Sequence, residues 1–146
     1  MSSKRYLEQS VYDAARERIA FTFKHFERVY VAFSGGKDSG VLLNLTLDYM
    51  RERGITRKVG VLFVDMEAQY TATIDYIRQE FEQHADLIEP YWVCLPINLR
   101  NAVSVFEPFW TPWDEAHRDK WIRELPEGAI TEDSHPFPFG SSPRTR

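Results

Sequence analysis

Apolar residues recur along this chain with two rhythms that take turns. Between residues 5 and 27, Leu7, Val11, Ala15, Ile19, Phe23 and Phe26 fall three or four apart, which predicts an amphipathic helix. Its opposite face carries Asp13, Arg16, Glu17 and Lys24, so its expected role is to cover one side of a sheet. Arg28–Phe33 is a short run of β-branched and aromatic residues and reads as a buried strand. Gly40–Arg53 returns to helical spacing and stops at Gly54. Lys58–Val64 reads as a second, fully buried strand, and Thr71–Ala85 as a helix packing Ile74, Ile77 and Phe81. Tyr91–Leu95, set between Pro90 and Pro96, reads as a third strand. Apolar strands alternating with helices predict an α/β fold with a parallel sheet, right-handed crossovers and all strand carboxyl ends on one edge.

Beyond the third strand the rhythm weakens. Asn98–Val105 is expected to form a short helix, with Asn98 or Arg100 as candidate ligand contacts, and Glu115–Leu125 another containing Trp121. Phe106–Asp114 is rich in aromatic residues and proline and predicts an irregular packed segment. Two readings fit residues 106–133: a lid over a bound substrate, or a second small core. Residues 134–146 have no periodicity and are expected to be a disordered tail.

The chemistry concentrates where the first strand turns into the next helix, at Ser34-Gly35-Gly36-Lys37-Asp38-Ser39. Such a turn aims free backbone N–H groups and the positive end of a helix dipole at one point. The glycine pair permits positive φ and close approach, the serines add hydroxyls and Lys37 adds charge. An anion, above all a phosphate, fits that point. A Walker A loop is excluded, because Val31 stands where its upstream glycine belongs and Asp38 follows Lys37. No GxGxxG dinucleotide fingerprint is present. Asp65 and Glu67 leave the carboxyl end of the second strand beside this turn, where open parallel sheets bind ligands. Their carboxylates either accept ribose hydroxyls or hold a cation that bridges phosphates, or they belong to a solvated loop capping the next helix.

Composition narrows the setting. Hydrophobic residues make up 43% and charged residues 27%, the balance of a soluble globular domain. A formal net charge of −4 leaves no electrostatic footprint for nucleic acid or an anionic membrane. No apolar run has the length of a membrane span, and a cytoplasmic location is expected. The single cysteine, Cys94, excludes an internal disulfide framework and reads as a small buried hydrophobe.

The run Ser34–Ser39 resembles the SGGxDS PP-loop of the adenine-nucleotide alpha-hydrolase-like superfamily, which includes the N-type ATP pyrophosphatases and the phosphoadenosine phosphosulfate (PAPS) reductases. From Val29 to about Pro126 the chain is most similar to the PAPS reductase-like branch, particularly relatives found with phage and mobile elements. The resemblance implies a three-layer αβα fold of the Rossmann-like HUP type, with strand order 3-2-1-4-5, incomplete here on the C-terminal side. It implies a PP-loop nucleotide-binding domain over 1–133, with 106–133 as a Trp/Pro-rich lid. ATP or PAPS would be bound by Ser34, Gly35, Gly36, Lys37, Asp38, Ser39, Asp65 and Glu67. Lys37 and Asp38 would be the catalytic groups, with Mg²⁺ at Asp38. Glu67 departs from the pattern, since relatives often carry a small residue there. The reductases' C-terminal Glu-Cys-Gly-x-His motif is absent, and Cys94 does not inherit its role by position. The chain thus resembles the nucleotide-binding part of a longer protein. Three functions are compatible with it: PAPS reductase-like nucleotide binding, adenylyl transfer by an ATP pyrophosphatase component, and a non-catalytic regulatory module. With strand one lacking a neighbour on one side, either the Trp-rich segment or another chain, in a homo-oligomer or from a partner protein, is expected to cover the sheet edge.

Overall fold

A computed structural model describes residues 8–134. The expected tail therefore lies, apart from Ser134, outside the described residues, as does Leu7 of the first apolar stripe. Helix α1 (Val11–His25) is capped by Ser10, whose Oγ accepts the Asp13 N–H at 3.1 Å. There follow β1 (Tyr30–Ala32), α2 (Lys37–Glu52), β2 (Val59–Val64), α3 (Thr71–Gln83) and β3 (Ile88–Val93). The strands form one parallel sheet in the order β1-β2-β3, with Tyr30 opposite Gly60 and Val59 opposite Ile88. This is the α/β Rossmann-like layout the alternation predicts, with few strands.

The core lies on one face of the sheet. Val31, Phe33, Val61, Phe63 and Trp92 point to it and meet Leu43, Leu47 and Met50 of α2 and Ile74, Ile77 and Phe81 of α3. Both crossover helices thus share a side. The ladder alternation turns the intervening residues, Tyr30, Ala32, Leu62, Val64 and Tyr91, to the opposite face. There Tyr30 remains 68% exposed. Two expectations change accordingly. Helix α1 does not cover the sheet: it packs against α2, with Arg16 paired to Glu52. Strand β2 is not buried on both sides, although it is apolar on both, and no helix of the described residues supplies the third layer.

Element ends follow local chemistry. Gly54, at φ +60°, closes α2 as expected, and the Ile55 N–H returns to the Met50 carbonyl at 2.9 Å. Pro90 falls inside β3 rather than before it. It occupies a position whose nitrogen faces away from β2, so its missing N–H removes no ladder bond. On that outer side Ile130 forms a single parallel bridge with Val93. The segment expected as a helix over Asn98–Val105 is instead β4 (Leu99–Arg100), paired antiparallel with β5 (Phe109–Trp110). Glu115–Lys120 is a 3-10 turn capped by Asp114, shorter than the helix expected to include Trp121. Among the described residues no helix is long and apolar enough to cross a membrane.

Candidate nucleotide-binding site

The Ser34–Ser39 turn sits at the carboxyl end of β1 and runs into α2, whose N-cap is Gly36. Gly35 has φ +74°, a conformation that disfavours any side chain. Space forbids one as well, since a Cβ there would stand 2.8 Å from Ile77 Cδ1 and 2.8 Å from Thr73 Cγ2 of α3. Gly40, a turn further on, is pressed equally closely, with the Tyr76 hydroxyl 2.8 Å from where its Cβ would be. Helix α3 therefore packs closely against the loop and against the first turn of α2.

The hydroxyls fix the loop's shape. Ser39 Oγ donates to the Gly36 carbonyl at 2.9 Å, accepts the Ser34 N–H at 3.3 Å and lies 3.1 Å from Ser34 Oγ. The first intrahelical bond runs from the Gly40 N–H to the Gly36 carbonyl. Consequently the N–H groups of Lys37, Asp38 and Ser39 have no acceptor within the described protein, as the first turn of a helix requires. Lys37 and Asp38 are exposed beside them. Among the described residues no group of three or more His, Cys, Asp or Glu side chains is placed to hold a metal.

Asp65 and Glu67 stand at the carboxyl end of β2, yet both are buried and engaged by protein groups. Asp65 Oδ2 accepts the Trp92 Nε1–H at 2.7 Å, while Oδ1 accepts the Glu67 N–H at 2.8 Å and a bond from the Arg123 guanidinium. The Asp65 carbonyl takes the Trp113 indole N–H at 2.8 Å. Glu67 Oε2 accepts the Trp113 N–H at 3.0 Å, and Oε1 the Ile122 N–H at 3.3 Å. Arg123 also lies over the Trp113 ring, 4.9 Å from its centroid, and Trp113 meets Trp121 edge-on. These two carboxylates therefore tie residues 113–123 to the end of the sheet. Glu67 and Trp113 both hold left-handed backbone, at φ 62° and 55°, and are bonded to each other. Trp113 belongs to the main core rather than to a second one. Between this segment and the β4–β5 hairpin lies a groove of about 550 Å³ lined by Glu67, Trp110, Asp114, His117 and Trp121.

The sequence did not single out Arg123, Trp92 or Trp113 as partners of Asp65. They lie 27 to 58 residues away and have no motif spacing. Asn98 and Arg100 are exposed in and before β4. Cys94 is buried, and its thiol is pushed up to about 12 by burial and by the neighbouring Asp65 charge, so it stays protonated.

Residues 28–89 match the phosphoadenosine phosphosulfate reductase domain. The chain is also similar to the uncharacterized protein YbdN of Escherichia coli (strain K12), 43% identical over 127 residues, which cover 86% of this chain and 30% of that protein. It thus spans less than a third of that relative's length. No solved structure gives a significant match. The matched segment contains β1, the Ser34–Ser39 turn, α2, β2 and α3. Over these residues the chain is thus similar to the phosphoadenosine phosphosulfate reductase domain.

Proposed function

We propose that this chain binds the phosphates of an adenine nucleotide, ATP or PAPS, at Ser34–Ser39. One observation carries the reading: three adjacent first-turn N–H groups, on Lys37, Asp38 and Ser39, have no acceptor among the described residues and lie beside an exposed lysine. Hydrogen bonds from such donors to an anion are charge-assisted and roughly twice as strong as neutral ones. The turn is already rigid before any ligand arrives, because serine–serine contacts and the close fit of Gly35 against α3 hold it. Less ordering entropy is then lost on binding.

Each group has a distinct role. The loop amides and Lys37 hold the phosphates. Where ATP is the ligand, they would also stabilise charge building on pyrophosphate as an acceptor oxygen bonds to the α-phosphorus and the bridging bond breaks. Mg²⁺ would supply charge neutralisation between Asp38 and the phosphate oxygens. Asp65 and Glu67 act indirectly, by holding the loop after β2 and the Trp113 segment at the same sheet edge. A second reading, binding or regulation without sulfonyl reduction, is favoured by Cys94. A buried, protonated thiol lacks the thiolate that such a nucleophile needs.

Calorimetric titration with ATP, PAPS and AMP tests the proposal. Both triphosphate and sulfonucleotide, or one of them, should bind, and Lys37→Ala should weaken that binding about tenfold or more. A folded wild-type chain that binds none of the three, or a Lys37→Ala variant that binds unchanged, would overturn it. Pyrophosphate release above the Lys37→Ala background would then assign adenylyl transfer, and binding without release the regulatory role.

A further inference from the structure

The groove of about 550 Å³ between the β4–β5 hairpin and the Trp113–Arg123 segment is walled by rings. Phe109 and Trp110 come from β5 and Trp121 from the end of the 3-10 turn, with Glu107, Asp114 and Lys120 among them. Phe109 is 59% exposed, and the Trp110 indole N–H has no acceptor among the described residues. Aromatic faces beside a free donor suit a proline-rich segment, whose extended backbone is preset and offers its carbonyls. The described chain stops close by. Ile130 pairs with Val93 at the end of β3, one strand from the end of β2 and Glu67, which also lines the groove. The turn after Ile130 is fixed by Ser134, whose Oγ accepts the Thr131 N–H at 2.7 Å while its own N–H reaches Thr131 Oγ1 at 3.2 Å. The next five residues are His135-Pro136-Phe137-Pro138-Phe139.

We propose that residues 136–139 of this same chain occupy the groove. Proline fixes φ near −65° and steers the residue before it to extended backbone, so residues 135–138 are preset towards polyproline II. At about 3.1 Å per residue the steps from Ser134 to Phe139 span about 15 Å, and neighbouring strands lie only about 4.8 Å apart, so the segment reaches from the edge of β3 to the groove. Phe137 and Phe139 supply rings for Phe109, Trp110 and Trp121, and a backbone carbonyl takes the Trp110 N–H. Charge agrees with this occupant. The groove carries Glu67, Glu107 and Asp114 against Lys120, whereas residues 135–146 bring Arg144 and Arg146 and no acidic side chain. The tether makes a weak contact sufficient. A short linker holds the segment at an effective concentration on the order of 1 mM, so an intrinsic Kd of about 0.1 mM keeps the groove filled about ten to one. No residue of the Ser34–Ser39 turn lines the groove, so the proposal does not rest on nucleotide binding.

Hydrogen exchange of the intact chain, set against a Phe137→Ser/Phe139→Ser double variant, tests it. Amides between Trp110 and Trp121 should exchange about tenfold faster in the variant, and tryptophan emission should move to the red. A synthetic peptide of residues 135–146 should reverse both changes in the variant and leave the wild-type chain nearly unchanged, since its groove is already filled. With Trp110→Ala in place, the two tail changes should have little further effect. Circular dichroism checks that each variant is folded. Equal exchange and emission in the wild type and the double variant overturn the proposal. A peptide that shifts both chains alike shows a groove open to a proline-rich segment of another protein and overturns the occupant named here. A tail effect that Trp110→Ala leaves intact places the contact elsewhere and overturns the groove.

Discussion

Gly35 concentrates the demands of the site in one residue. Its φ of +74° and the 2.8 Å approach of Ile77 and Thr73 leave no room for a methyl group. Gly35→Ala should destabilise the fold by about 1–3 kcal/mol, measured by urea unfolding, while also displacing the loop amides. An unchanged midpoint would mean that α3 does not press on the turn. Cys94 gives a pH signature. Its thiol titrates near 9.0 when unfolded and is raised to about 12 in the fold, so it binds its proton more tightly when native. Its contribution is fully present below pH 9 and is lost as pH rises towards 12, because over that range the unfolded state binds fewer protons. Cys94→Ala should therefore show a shallower fall of stability with pH on the alkaline side in denaturant titrations. At this scale the Ser34–Ser39 turn was legible from the sequence, because its six residues are contiguous and lie between a strand pattern and a helix pattern. The engagement of Asp65 was not, because its partners come from β3 and from beyond Trp113.

Among the elements, the Trp113–Arg123 segment has little regular structure and depends on two carboxylates for its place. Asp65 is fully buried and Arg123 largely so. Removing one member of such a pair leaves an uncompensated buried charge, a loss of about 3–5 kcal/mol. Arg123→Ala should approach that figure in chemical denaturation and shift the emission of Trp113 and Trp121, and a change below about 1 kcal/mol would show that the segment is held by packing alone. Replacing Asp65 by Asn should retain the Trp92 bond and lose the ion pair, separating the two contributions. The helices were readable from their stripes because α2 and α3 each bury one face, whereas α1 buries only Ile19 and leaves Val11 and Phe26 of its stripe exposed. The β4–β5 hairpin was not, since two-residue strands carry too few positions for any period to emerge.

For the whole molecule, the sheet has one central strand and one open edge. The ladder assigns the N–H and C=O groups of Val31 to β2 and leaves those of Tyr30 and Ala32 facing outward. Hydrogen exchange should find Val61 and Phe63 amides among the slowest and those of Tyr30 and Ala32 among the fastest. Protection at Tyr30 and Ala32 would reveal another strand paired to that edge. The alternation of apolar strands with amphipathic helices determined the α/β class, the parallel sheet and the position of the Ser34–Ser39 turn, because each follows from interactions between residues close in the chain. Only the tertiary structure decided that α1 rests on α2, that Asp65 and Glu67 grip a distant segment and that, among the described residues, no helix covers the second face of the sheet. An apolar residue records that it is to be covered, and the side of the sheet on which each helix settles is chosen by contacts that no local pattern contains.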